Sequence, residues 1–204
     1  MAMSCRTDQL DGAPRMKSLA EDAFSDAVRR VSTVIPLDDV EVTFILDPDA
    51  VIPEWGVGGE TEDAHHIIVA LDPFAEARIQ EISSTLVHEF HHAIRWRHTS
   101  LDTNLRDMLA SEGLAVMFET DLMGVEPFYA RHELPSDEIA LALQELDTEP
   151  CDTSRWFYGA GTAPRGFGYS LGAHLCREYA LRMGTSLADL LITPSTEIVS
   201  GRPL

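Results

Sequence analysis

The chain has 204 residues, 45% hydrophobic and 24% charged, the proportions of a soluble globular protein long enough for a substantial core. Its net charge of −19, offset by no basic cluster, repels nucleic-acid phosphate and anionic lipid, so neither nucleic acid nor membrane is expected as a partner. Cys5, Cys151 and Cys176 are odd in number, widely separated and lack C-x-x-C spacing, so neither a disulfide framework nor a thiolate zinc site is indicated.

Residues 1–15 read as a polar tail without the apolar stretch of a signal peptide. No apolar run approaches the roughly 18 residues of a spanning helix, so a cytoplasmic location is expected. Residues 17–34 carry helical spacing at Leu19, Ala23, Phe24, Ala27, Val28 and Val31, and Pro36 ends the pattern. Residues 40–46, V-E-V-T-F-I-L, predict a strand. The acidic, glycine-bearing stretch 47–63 is either a flexible loop or a short edge strand, on which a substrate backbone could lie along residues 55–61. Residues 66–71, H-I-I-V-A-L, predict a second strand, with His65 and His66 as polar residues at its edge.

Asp72-Pro73 is a helix-start signal, and the helix it opens is expected over residues 73–97. Ile79, Ile82, Leu86, Phe90 and Ala93 form its apolar stripe, and His88 and His92 lie nearly opposite. Residues 88–92 spell H-E-F-H-H. Four residues apart on a helix, His88 and His92 share a face and can reach one metal ion. Glu89 stands beside them as a carboxylate able to take a proton from an activated water. His91 points about 60° or more away from His88 and is not expected to be a ligand.

A further helix is expected from residue 102 or 103 to about 120. Leu105, Met108, Leu109 and Val116 face one way, and Glu112 points with them. A carboxylate inside an apolar stripe is costly to bury unless it is paired or binds a cation. Glu112 is therefore either a third metal ligand, completing two imidazoles and a carboxylate for Zn²⁺, or one half of a salt bridge. Glu119 projects from much the same side. A short helix over residues 135–146, a loop over 148–168, a helix over 169–183 ended by Gly184, and a last turn over 187–191 complete the pattern, with Gly172 permitting close helix approach. One domain over residues 16–199 and a C-terminal tail at 200–204 are expected.

These residues resemble a family of predicted zinc-dependent proteases, a domain family of unknown function grouped with the gluzincin branch of the zincin metallopeptidases. The resemblance rests on H-E-F-H-H-A-I-R at 88–95, S-E-G-L-A at 111–115, W-F-Y-G at 156–159 and G-Y-S-L-G at 168–172. It implies an α+β, zincin-like fold, mostly helical, with a small N-terminal sheet packed on the active-site helix. It also implies zinc held by His88, His92 and Glu112, with Glu89 as the general base.

The activity expected is hydrolysis of peptide bonds in a peptide or protein substrate by a zinc-activated water. Charge developing on the carbonyl oxygen needs a donor besides the metal. Tyr169, at a helix start beside Gly168, is the first candidate, ahead of Tyr158, Arg165 and His174; simple aromatic packing is its alternative role. Two rival activities share the ligands: an aminopeptidase or small-amide hydrolase, and a non-catalytic metal-binding or regulatory protein retaining the fold. Glu89 weighs against the second, since a protein that only holds metal has no use for a base.

Overall fold

Alternating and apolar segments in the first half of the chain pair into a four-stranded sheet, and helices make up most of the remainder, giving the expected α+β class. The computed structural model describes residues 3–76, 78–99 and 102–200. The chain resolves into two compact units, Met1–Arg97 and His98–Leu204.

In the first unit the strands are β1 (Ser4–Arg6), β2 (Glu41–Leu46), β3 (Val57–Asp63) and β4 (His66–Leu71), in the spatial order β1-β2-β4-β3. β1 and β4 flank β2 in parallel, while β3 runs antiparallel to β4 and forms an edge. Helix α1 (Pro14–Val31) packs against α2 (Ile79–Arg95), and α2 lies on β3 and β4. Small residues on α1 allow the approach: Ala20, Ala23 and Ala27 are fully buried, and the Ser83 hydroxyl of α2 donates to the Ala23 carbonyl at 3.3 Å. Phe44, Val42, Ile67, Val69, Ile82, Leu86 and Phe90 supply the larger side chains of this core. Arg97, just past α2, donates to Asp38 and to the carbonyl of Ala64, clamping the helix end to the loops that precede β2 and β4.

Two expectations are corrected here. The first fifteen residues are not simply a polar tail: β1 pairs with β2, Leu10 is fully buried, and α1 already begins at Pro14. A three-residue edge strand needs only backbone partners, so it leaves almost no hydrophobic signature. Helix α2 begins at Ile79 rather than at Pro73. The Asp72 carboxylate accepts the Phe74 N–H at 2.8 Å in a turn, and the Glu81 carboxylate accepts the Arg78 N–H at 3.1 Å at the true helix start. The expected tail at 200–204 lies outside the described residues except for Ser200.

In the second unit α3 (Leu105–Met123) and α6 (Phe167–Met183) form the central pair. Asn104 caps α3 by accepting the Asp107 N–H at 2.9 Å, and Gly124 and Gly184 end the two helices in left-handed conformation. Around them stand α4 (Ser136–Gln144) and the short α5 (Thr153–Trp156), α7 (Leu187–Leu190) and α8 (Ser195–Ile198). Leu109, Leu114, Trp156, Phe157, Phe167, Leu171 and Cys176 fill the core. Arg106 holds Asp147 through two bonds of 2.9 and 3.0 Å and also donates to the Val199 carbonyl, tying the start of α3 to the chain's last segment.

Candidate metal centre

Helix α2 carries the histidines because an i, i+4 spacing stacks them on one face. Their rings lie 4.9 Å apart, and the two Nε2 atoms approach to 3.1 Å. Nitrogens bound to one tetrahedral zinc at about 2.05 Å would stand roughly 3.3 Å apart, so this separation suits a shared ion. Trp96 lies tilted against the His92 ring with centroids 6.0 Å apart. Every residue from 82 to 95 is buried, His91 and Arg95 included, so the histidines do not sit on a solvated helix face.

Glu89 is 7% exposed and reaches toward β3. The Thr61 hydroxyl lies 2.7 Å from its Oε2 and 3.2 Å from its backbone carbonyl oxygen. Gly59, two residues earlier on the same strand face, leaves space that Glu89 uses: a β-carbon there would stand 2.6 Å from both Cγ and Oε1 of Glu89. Gly58 points the other way, where a β-carbon would meet the Ala50 carbonyl oxygen at 2.1 Å. The last part of the glycine-bearing stretch, Val57–Asp63, is thus an edge strand, one of the two expected forms, with a separate packing reason for Gly58 and for Gly59.

Glu112 sits on α3, half-buried, and Glu119 lies two turns further along, fully buried. Glu119 accepts a hydrogen bond from the Tyr129 hydroxyl. Burial pushes the Tyr129 phenol well above its usual range; the Glu119 charge, the hydrogen bond to it, and smaller contributions from Tyr169 and Glu112 add to the rise. Tyr169, near the start of α6, is wedged edge-on between Tyr129, 5.0 Å away, and Phe157, 5.1 Å away. Of the other expected donors, Tyr158 is 63% exposed, Arg165 is exposed, and His174 is half-buried five residues beyond Tyr169 on α6.

His88, His92 and Glu112 form a group able to hold a metal ion: one ligand atom from each lies within 4.8 Å of the others. The donor chemistry, two imidazoles and a carboxylate, fits zinc. By contrast His65 and His66 are engaged locally. His65 Nδ1 bonds the Asp39 carbonyl at 2.8 Å, and His66 bonds Thr43 at 3.0 Å and Glu62 at 2.7 Å. Thr61 and Tyr129 carry no signal in the sequence. Each becomes visible only through a partner distant in the chain or beyond a helix end.

Residues 20–200 match the family described as "Predicted Zn-dependent protease (DUF2268)". The chain belongs to this family. Among curated proteins it is similar to "Uncharacterized protein YjfC" of Bacillus subtilis, with 26% identity over an alignment of length 176, and the match covers 77% of this chain. The match spans only 58% of that relative's length. No solved structure matches. Among the described residues no helix is long and apolar enough to cross a membrane.

Proposed function

We propose that this protein is a zinc-dependent metallopeptidase of gluzincin type with a zincin-like fold, both units serving as one catalytic domain. The observation that carries the proposal is the convergence of His88, His92 and Glu112. The family match across residues 20–200, which spans both units, supports it.

A zinc ion held there would supply Lewis-acid polarisation of a carbonyl and a water acidic enough to attack near neutral pH. The protein's own part falls to its side chains. Glu89, adjacent to His88 and buried, accepts the proton of the attacking water and returns it to the departing amine nitrogen. Tyr169 is the proposed donor to the carbonyl oxygen as charge develops there. The aromatic contacts of Tyr129 and Phe157 hold its ring in one orientation. A peptide or protein substrate and a cytoplasmic setting belong to the same proposal, as does the absence of nucleic-acid and membrane partners, for which the charge of −19 speaks.

Metal analysis of the purified wild type and Glu112→Gln, without added zinc, is the test. About one zinc per wild-type chain and a large loss in the variant are expected. Cleavage of a peptide library by the wild type and not by Glu89→Gln completes it. A wild type that neither contains zinc nor takes it up on titration overturns the proposal.

A further inference from the structure

The hydroxyl of Thr61 and the bare face of Gly59 together enclose one side chain, that of Glu89. Gly59 and Thr61 lie two residues apart on β3 and so face α2 together. At Gly59 the strand passes so close to Glu89 that any β-carbon would stand 2.6 Å from its Cγ and Oε1, and 2.7 Å from the Thr85 methyl. At Thr61 the hydroxyl lies 2.7 Å from Oε2. That hydroxyl has one proton, and of its two acceptors the side-chain oxygen Oε2 is nearer than the backbone carbonyl oxygen, at 2.7 against 3.2 Å. Thr61 is 8% exposed, and its branched β-carbon restricts χ1, so the donor is held in place by the strand.

We propose that Thr61 is a positioning residue for Glu89. It occupies Oε2 and leaves Oε1, beside Gly59, as the oxygen that takes the proton. The inference rests on the reading of Glu89 as general base. A glutamate has three rotatable bonds between backbone and carboxylate, and a base that must be aligned within a few tenths of an ångström gains from having one oxygen fixed. The edge strand thereby acquires a role besides pairing with β4: it sets the direction in which the carboxylate faces.

The test compares wild type, Thr61→Val and Thr61→Ser in the full chain. Valine keeps the shape and removes the hydroxyl; serine restores it. Zinc content and KM are expected to stay near wild type in both variants. In Thr61→Val kcat falls about ten- to a hundredfold, the usual loss for a partner that orients a site group, and Thr61→Ser recovers most of it.

A second readout needs neither metal nor turnover. In infrared difference spectra of metal-free protein, each taken against its Glu89→Gln counterpart, the Glu89 carboxylate stretch shifts in Thr61→Val and returns in Thr61→Ser. Thr61→Ala serves the same comparison if valine is not accommodated. An unchanged stretch, or a Thr61→Val enzyme with wild-type kcat, overturns the positioning role. A wild type without zinc or cleavage overturns the function instead, and the infrared comparison tells the two failures apart.

Discussion

Gly113 and Gly172 face each other where α3 crosses α6, so closely that a β-carbon on Gly113 would stand 2.2 Å from the Gly172 carbonyl carbon. A β-carbon on Gly172 would in turn meet the Leu109 carbonyl oxygen at 2.4 Å. Both obstructions are backbone, which cannot rotate aside. Glu112 precedes Gly113, so the contact also fixes where that carboxylate leaves α3.

Alanine at either glycine is therefore expected to destabilise the protein by about 1–3 kcal/mol or more, the range for overpacking a close contact. The urea midpoint should fall with the denaturant slope unchanged. Because α3 must shift to admit the methyl group, zinc content should fall as well under the proposal that Glu112 is a ligand. A Gly172→Ala protein with wild-type midpoint and zinc content would show that the helices part without consequence.

Features set by neighbours along the chain are legible in the sequence. The spacing of His88 and His92 is a helical period, and β4 occupies the residues its apolar run marks out. Glu112 stands out as a carboxylate within an apolar stripe, and Gly172 as a gap in a helix surface. Features set by distant partners are not legible. Strand β1 exists because Ser4 to Arg6 find Glu41 to Thr43, and Thr61 matters because the fold lays it against Glu89. The start of α2 is misread for a related reason: the Asp72 side chain can cap a turn as readily as a helix, and nothing local decides between them. The burial of His91 is a further case, since its angle on the helix wheel shows where it points and not what covers it.

Gly59 offers a test by coupling. Alanine there drives a methyl group into Glu89 and the Thr85 methyl, and is expected to cost about 1–3 kcal/mol. Truncating Glu89 to alanine removes one of the two obstructions. The Gly59→Ala loss should therefore be smaller in a Glu89→Ala background, with a favourable coupling of at least about 0.5 kcal/mol in a double-mutant cycle. Strict additivity would mean that β3 and α2 adjust freely at this contact.

The thiols should be sluggish. Burial, with Glu21 as a lesser influence, pushes Cys5 up to about 11 from 9.0; burial and then Asp152 do the same to Cys151. At pH 8 the thiolate fraction of each is about a hundredfold below that of an unperturbed thiol. The higher intrinsic nucleophilicity of such a thiolate recovers about tenfold of this. Alkylation with iodoacetamide, followed by peptide mass spectrometry, is expected to run about tenfold slower at Cys5 and Cys151 in the native protein than after denaturation. Native rates should keep rising with pH beyond 9. Equal rates in native and denatured protein would contradict the burial of both groups.

Tyr129 makes the stability of the protein depend on alkaline pH in a direction that can be worked out. Its folded-state pKa is raised, chiefly by burial and then by the Glu119 charge, while in the unfolded chain it titrates near the usual value of about 10. Below pH 10 both states keep the phenolic proton, and the stabilising bond to Glu119 is fully present. Above pH 10 the unfolded chain releases the proton and the folded chain does not, so the unfolded state binds fewer protons and stability falls as pH rises. Tyr129→Phe removes this dependence. At pH 8 the variant should be less stable by about 1–3 kcal/mol, because the buried Glu119 carboxylate loses a donor. Between pH 10 and 11 its stability should decline less steeply than that of the wild type. Urea midpoints measured across that interval decide the matter: parallel declines in the two proteins would mean that Tyr129 ionises as easily folded as unfolded.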